Sequence, residues 1–181
     1  MESLRGQILL ASPALADPNF QRTVVLVGEH SPEGAMGLIL NRPSQTSVSE
    51  GLPELEELDD GGSAIFVGGP VAPSVIMVLA RFREPEDSEA VVGEHIGFLP
   101  AGTELAQLSE TALETRVFAG YAGWGPEQLE GEIDSGDWIV HEPVESDVFS
   151  EHPEELWSTV LTRMGGRFAL LARMPPDPSV N

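Results

Sequence analysis

Five short runs in the first half of the chain are apolar almost without interruption: QILLA (7–11), TVVLV (23–27), GLIL (37–40), AIFV (64–67) and SVIMVLA (74–80). A strand with one face in water alternates apolar and polar residues, because successive side chains point to opposite faces. Runs that do not alternate read as strands covered on both faces. Gly, Pro and Asn bound them, as strand ends require. The chain must therefore place cover on two sides of a sheet.

The second half supplies the helices. Residues 101–113 read as an amphipathic helix through Leu105, Leu108, Ala112 and Leu113. Residues 153–165 form the clearest helix, with Pro153 at its start, Glu154 and Glu155 complementing the N-terminal dipole, and Leu156, Val160, Leu161 and Met164 as its buried stripe. Gly165 and Gly166 end it, and residues 168–172 read as a closing strand. Further strands are expected at 116–119 and 138–141, a turn at 13–20, a short helix or turn within 47–60, and a hairpin or loop at 83–94. Strands first and helices later is an α+β pattern rather than βαβ alternation. With 181 residues and no linker, the expectation is one domain over 1–181, its core about 6–173 and its tail 174–181 frayed.

Composition removes several functions. There is no cysteine and no lysine, so thiolate, disulfide, Schiff-base and P-loop chemistry are excluded. The four histidines, His30, His95, His141 and His152, show no metal-ligand spacing, and no cofactor motif is present; neither metal nor cofactor is expected. A net charge of -21 repels phosphate backbones and anionic lipid, which disfavours nucleic acid as a partner. No apolar run is long enough for a membrane helix, and the N-terminus lacks the basic start and long apolar stretch of a signal peptide, so no membrane association and a cytoplasmic location are expected.

The candidate site residues sit on glycine-rich punctuation. GAMGLILNRP (34–43) ends a buried strand at Asn41 and Arg42, where sites are often built; equally, Asn41 can satisfy nearby backbone and Arg42 can pair with a carboxylate. Gly68 and Gly69 follow AIFV as a turn, with an anion nest as the alternative. In GYAGWGPEQLEGEIDSGDW (120–138), Pro126 suits a first helical turn, Leu129 and Ile133 share a face, and Gly136 terminates. A turn, a helix and a second turn explain most of that stretch. Tyr121, Trp124 and Gln128 are left over, two amphipathic aromatics and an amide at a helix start.

These segments, GQILLASPALADPNFQRTVVLVGEH, GAMGLILNRP, VGGPV, GYAGWGPEQLEGEI and DWIV in that order, closely resemble the AlgH/YqgE family of bacterial proteins from about Gly6 to about Arg173. The resemblance implies an α+β domain whose bifurcated, largely antiparallel sheet curls into a pseudo-barrel flanked by helices. It implies no particular activity; some members are called transcriptional regulators on genetic context rather than on a DNA-binding motif. The family's recurrent positions fall on Pro13, Asp17, Phe20, His30, Asn41, Arg42, Pro43, Gly68, Gly69, Pro70, Gly120, Tyr121, Gly123, Trp124, Gln128, Leu129, Glu132 and Trp138. The residue before Gln128 is commonly Gly in the family; here it is Glu127, which adds negative charge at the helix start.

The functional expectation is a non-enzymatic domain that binds a small molecule or a protein where Asn41, Arg42, Gly68, Gly69, Tyr121, Trp124 and Gln128 converge. The alternative is a hydrolase-like enzyme using Asp17, His30 or Glu132 with Asn41 or Gln128 as polarising groups. A regulator contacting nucleic acid directly is the third reading, and the charge opposes it.

Overall fold

A computed structural model describes residues 2–58, 62–85, 89–99 and 105–176. Its chain order is β1 (Ile8–Ala11), β2 (Val24–Ser31), β3 (Gly34–Ile39), β4 (Pro43–Ser47), α1 (Val48–Gly51), a 3-10 turn (Pro53–Leu58), β5 (Ala64–Val67), β6 (Val71–Phe82), β7 (Glu89–Val92) and β8 (Ile96–Phe98). Then come α2 (Leu105–Thr111), β9 (Ala112–Trp124), α3 (Gln128–Asp134), β10 (Trp138–His141), α4 (Glu145–Val148), a second 3-10 turn (Pro153–Glu155), α5 (Leu156–Met164) and α6 (Gly166–Leu171).

Among the described residues the strands form one ten-stranded sheet in the order β10-β1-β2-β3-β9-β6-β8-β7, with β5 branching from β9 and carrying β4. All pairings are antiparallel except β5 with β9. This is the expected α+β fold with a forked sheet. The sheet is open rather than a closed barrel, with β10 and β7 at its ends.

The non-alternating runs of β1, β2 and β3 are covered on both faces, while Val67 of β5 and Val75 of β6 stay 45 % exposed. In β1, Ile8 and Leu10 join one apolar cluster while Leu9 and Ala11 join another; in β2, Val24 and Leu26 divide from Val25 and Val27 in the same way. The larger cluster is closed by α4 and α5 through Val148, Leu156, Trp157, Val160 and Leu161. The second is closed by Leu129 of α3 and by Phe20. Each fully buried aliphatic side chain contributes about 1.5–3 kcal/mol, so both coverings are needed.

Two expectations change. Residues 168–172 are not a strand but belong largely to α6, because Gly165 and Gly166, both at positive φ, swing the chain from α5 straight into a second helix. FALLA has no β-branched residue, and its alanines and leucines favour a helix. There Phe168 and Leu171, three apart, pack on the larger cluster. In the segment 101–113, the described helix stops at Thr111; Ala112 and Leu113 begin β9, and 101–104 lie outside the described residues. Leu52, Leu55 and Leu58 flank or lie in a 3-10 turn, whose three-residue period matches their spacing.

Candidate functional site

Asn41 and Arg42 act on the turn that connects β1 to β2. Asn41 accepts from the Val24 N–H through Oδ1 at 2.9 Å and donates through Nδ2 to the Arg22 carbonyl at 2.9 Å. Arg42 donates to the Gln21 carbonyl at 2.8 Å and reaches the Pro18 carbonyl at 3.5 Å. Asp17 caps the same turn, its Oδ1 accepting from the Asn19 N–H at 2.9 Å. The turn so held presents Phe20 to two tryptophans: its ring stacks on Trp124 at 6.3 Å between centroids and meets Trp138 edge-on at 5.6 Å.

Below Phe20 lies the centre of the signature stretch. The Glu132 carboxylate accepts the indole N–H of Trp124 at 2.9 Å, that of Trp138 at 2.8 Å and the amide of Gln128 at 3.0 Å. Gln128 in turn accepts from the Gly125 N–H at 3.0 Å. The acceptor at the centre of this stretch is the protein's own carboxylate. Both indoles are almost wholly buried, so Glu132 supplies the acceptor their N–H groups need.

His30 lies beside this network. Its Nδ1 accepts from the Leu4 N–H at 2.9 Å and its Nε2 donates to Glu130 Oε1 at 2.9 Å, with the imidazole 5 % exposed. That arrangement assigns the neutral Nε2–H tautomer. A backbone hydrogen bond and the bond from His30 hold the Glu130 carboxyl below the usual carboxylate range. The pairing of histidine with carboxylate resembles acid–base machinery, but both imidazole nitrogens are engaged and no lone pair is left for a substrate.

Gly68 and Gly69 work through the backbone. A Cβ on Gly68 would lie 2.2 Å from the Gly120 carbonyl oxygen, and one on Gly69 would lie 2.1 Å from the Tyr121 carbonyl carbon. These glycines let β5 and the following turn touch β9 directly. Tyr121 then packs on the larger cluster, whereas Trp124, three residues on, packs in the second. The structure thus brings Trp124, Gln128 and Glu132 together, and joins Asn41, Arg42 and Asp17 to them through the turn bearing Phe20. Gly68 and Gly69 lie instead against the backbone of Gly120, Tyr121 and Ala122, and Tyr121 turns to the opposite face.

Glu127 has a left-handed backbone, φ 59°. Gly is at home in that conformation and Glu is not. Glu127 therefore holds a conformation that a glycine would adopt without strain, and α3 begins at Gln128 rather than at Pro126.

Beyond this network lies an open groove of about 850 Å³ along β10. It is lined by residues 12–14, Ile133 of α3, Trp138, Ile139 and Val140 of β10, and Arg167, Phe168 and Leu171 of α6, so that its surface is largely apolar with one charged side chain, Arg167, among the described residues. No sequence feature marks it, because the apolar spacing of residues 168–172, which contribute Phe168 and Leu171, fits a strand as well as a helix. A smaller cavity of about 350 Å³ is lined by Arg116, whose guanidinium lies over Phe66 at 4.4 Å and donates to the Val148 and Ser150 carbonyls. Burial pushes the Arg116 pKa down, and Glu114 opposes that. Among the described residues, no group of three His, Asp or Glu side chains is placed to hold a metal ion, and no helix is long and apolar enough to cross a membrane.

The AlgH-like family profile matches residues 8–169. A UPF0301 protein of Streptomyces coelicolor is 41 % identical over 188 residues, covering 100 % of this chain and 97 % of that one. A UPF0301 protein of Mycobacterium tuberculosis is 39 % identical over 181 residues, covering 97 % and 90 %. Among solved structures, a Corynebacterium diphtheriae protein superposes with a TM-score of 0.86 at 25 % identity over 96 % of this chain and 94 % of that one. The AlgH protein of Pseudomonas aeruginosa gives 0.71 at 30 % identity over 96 % and 95 %. The chain belongs to the AlgH-like family.

Proposed function

We propose that this domain is a non-catalytic binding module and that its binding surface is the groove along β10. The observation that carries this reading is a contrast within one region. The polar groups best suited to chemistry, His30, Glu132, Gln128 and Asn41, spend their hydrogen bonds on the protein itself. The adjacent concave surface is apolar and open, as binding grooves are. In this reading Trp124, Gln128 and Glu132 are positioning residues, because Glu132 fixes Trp138, which lines the groove. Asn41, Arg42 and Asp17 act one step further out by holding Phe20 against the same indole.

Native mass spectrometry of the protein purified from its own host tests this. A retained species present on the wild type and lost from Leu171→Glu supports the groove. A species retained equally by both places the site elsewhere. A hydrolase-like reading has the His30–Glu130 pair in its favour; it requires Leu4 to release Nδ1, and a hydrolytic activity abolished by His30→Gln would establish it. Direct contact with nucleic acid is opposed by the charge of -21.

A further inference from the structure

β10 ends the sheet, and its outer rim carries directed hydrogen-bonding groups. In an antiparallel pair, residues alternate between bonding the neighbour and pointing away. Ser12 donates to the Asp137 carbonyl, and β1 and β10 run in register with Leu10 opposite Ile139 and Ile8 opposite His141. Asp137, Ile139 and His141 therefore bond β1. The N–H and C=O groups of Trp138 and Val140 point away from β1, to an edge that carries no further strand among the described residues.

The groove lies along that edge, and its walls come from both faces of the sheet. Ile133 and Val140 pack with the second cluster, Phe168 and Leu171 with the larger one. An extended chain laid there would continue the sheet, with alternate side chains meeting α3 on one face and α6 on the other. Resting on the reading of the groove as the binding surface, we infer that its occupant is an extended segment of a partner protein, added as an eleventh strand antiparallel or parallel to β10. The segment carries about four consecutive apolar residues, the length of β10, flanked by Arg or Lys.

Charge selects the flanks. Asp134 and Asp137 precede the strand and Glu142 follows it, in a chain of 30 acidic and 9 basic residues. These carboxylates lie outside the groove's lining, at the two ends of the strand; the charged residue that lines the groove is Arg167 on α6, its guanidinium lying over Phe168, so the basic residues belong at the segment's flanks and not in its centre. The same charge opposes a second copy, since two chains at -21 would meet edge to edge.

The test uses a blocked synthetic peptide, Arg-Arg-Val-Ile-Val-Val-Arg-Arg, titrated into the ¹⁵N-labelled domain. The expected result is shifts at the Trp138 and Val140 amides. Methylating the peptide's backbone nitrogens along one edge should weaken binding at least tenfold, and along the other edge less than twofold. A version with glutamates for arginines should bind at least tenfold more weakly at low salt, the gap closing as salt is added. Val140→Pro removes an N–H that β1 does not use, a place where an edge strand tolerates proline. It should lose peptide affinity at least tenfold with its unfolding midpoint within a few degrees of wild type. If that variant does not fold, the methylated peptides decide alone. Equal binding by the parent and both methylated peptides, with Phe168 and Leu171 still shifting, ends strand addition and leaves groove binding standing. No shift at Phe168 or Leu171 at 1 mM peptide, together with an indifferent Leu171→Glu in native mass spectrometry, ends both. A dimer that Val140→Pro dissolves would assign the edge to a second copy and overturn the partner named here.

Discussion

Glu132→Leu is the substitution with the most readily worked consequence. The carboxylate accepts two indole N–H groups from Trp124 and Trp138, which are 6 % and 4 % exposed, and one amide from the exposed Gln128. Leucine fills much of the same space and leaves both indole donors without an acceptor. Each buried, unpaired donor costs about 1–3 kcal/mol, so the loss is about 4 kcal/mol. Glu132→Gln keeps one oxygen for the indoles but loses the charge and sets an amide against Gln128, a loss of about 1–2 kcal/mol. Urea unfolding followed by tryptophan fluorescence reads both, since two of the three tryptophans are in the network. With m on the order of 2 kcal/mol/M, the leucine midpoint falls by roughly 2 M and the glutamine midpoint by less than half that. If the leucine variant unfolds within about 0.5 kcal/mol of wild type, Glu132 does not organise this region and is not a positioning residue for Trp138.

Other outcomes follow from single contacts. Glu127→Gly relieves a left-handed glutamate, a strain of about 1–2 kcal/mol partly offset by the greater freedom of glycine in the unfolded chain; a rise in stability of up to about 1 kcal/mol is expected in thermal unfolding, and a lower midpoint would contradict the conformational reading. The Glu130 carboxyl is lowered in the folded protein by its hydrogen bonds, so its contribution is present above the ordinary carboxylate pKa and is lost as pH falls through the lowered folded value. The midpoint difference between wild type and Glu130→Gln should accordingly be constant near neutrality and vanish in acid; a difference that grows in acid would reverse the sign. Arg163 grips the buried Asp147 carboxylate with two bonds of 2.9 and 2.6 Å. Arg163→Ala should cost about 2 kcal/mol in a urea titration, below the 3–5 typical of a fully buried pair because the arginine is 36 % exposed. An unchanged midpoint would show that Asp147 finds another donor.

The two-sided core was legible because it depends only on local composition. ILLA and VVLV cannot expose either face to water, and Leu9 and Leu10 lie in different apolar clusters. The glycine turns were legible for the same reason: Gly68 and Gly69 admit no Cβ against β9. FALLA was not, since two glycines decide whether it continues as a strand or restarts as a helix, and apolar spacing over five residues fits both. Nor could spacing show that Trp124 and Trp138, fourteen residues apart, share one carboxylate. The groove is a property of the sheet's open end, and strand order is set by pairing between distant segments. Asn41 and Arg42 were legible as a strand end, but the carbonyls they hold belong to a turn some twenty residues earlier.

Photo-crosslinking in host cells separates the groove along β10 from the polar network directly, with a benzophenone residue placed at Ala14 or Leu171 in the groove and at Glu127 or Gly131, exposed positions that flank Gln128 without joining its hydrogen bonds. If the groove is the binding surface, one common adduct is expected from Ala14 and Leu171 and none from Glu127 or Gly131. An adduct confined to Glu127 and Gly131 would place the binding surface at the network instead.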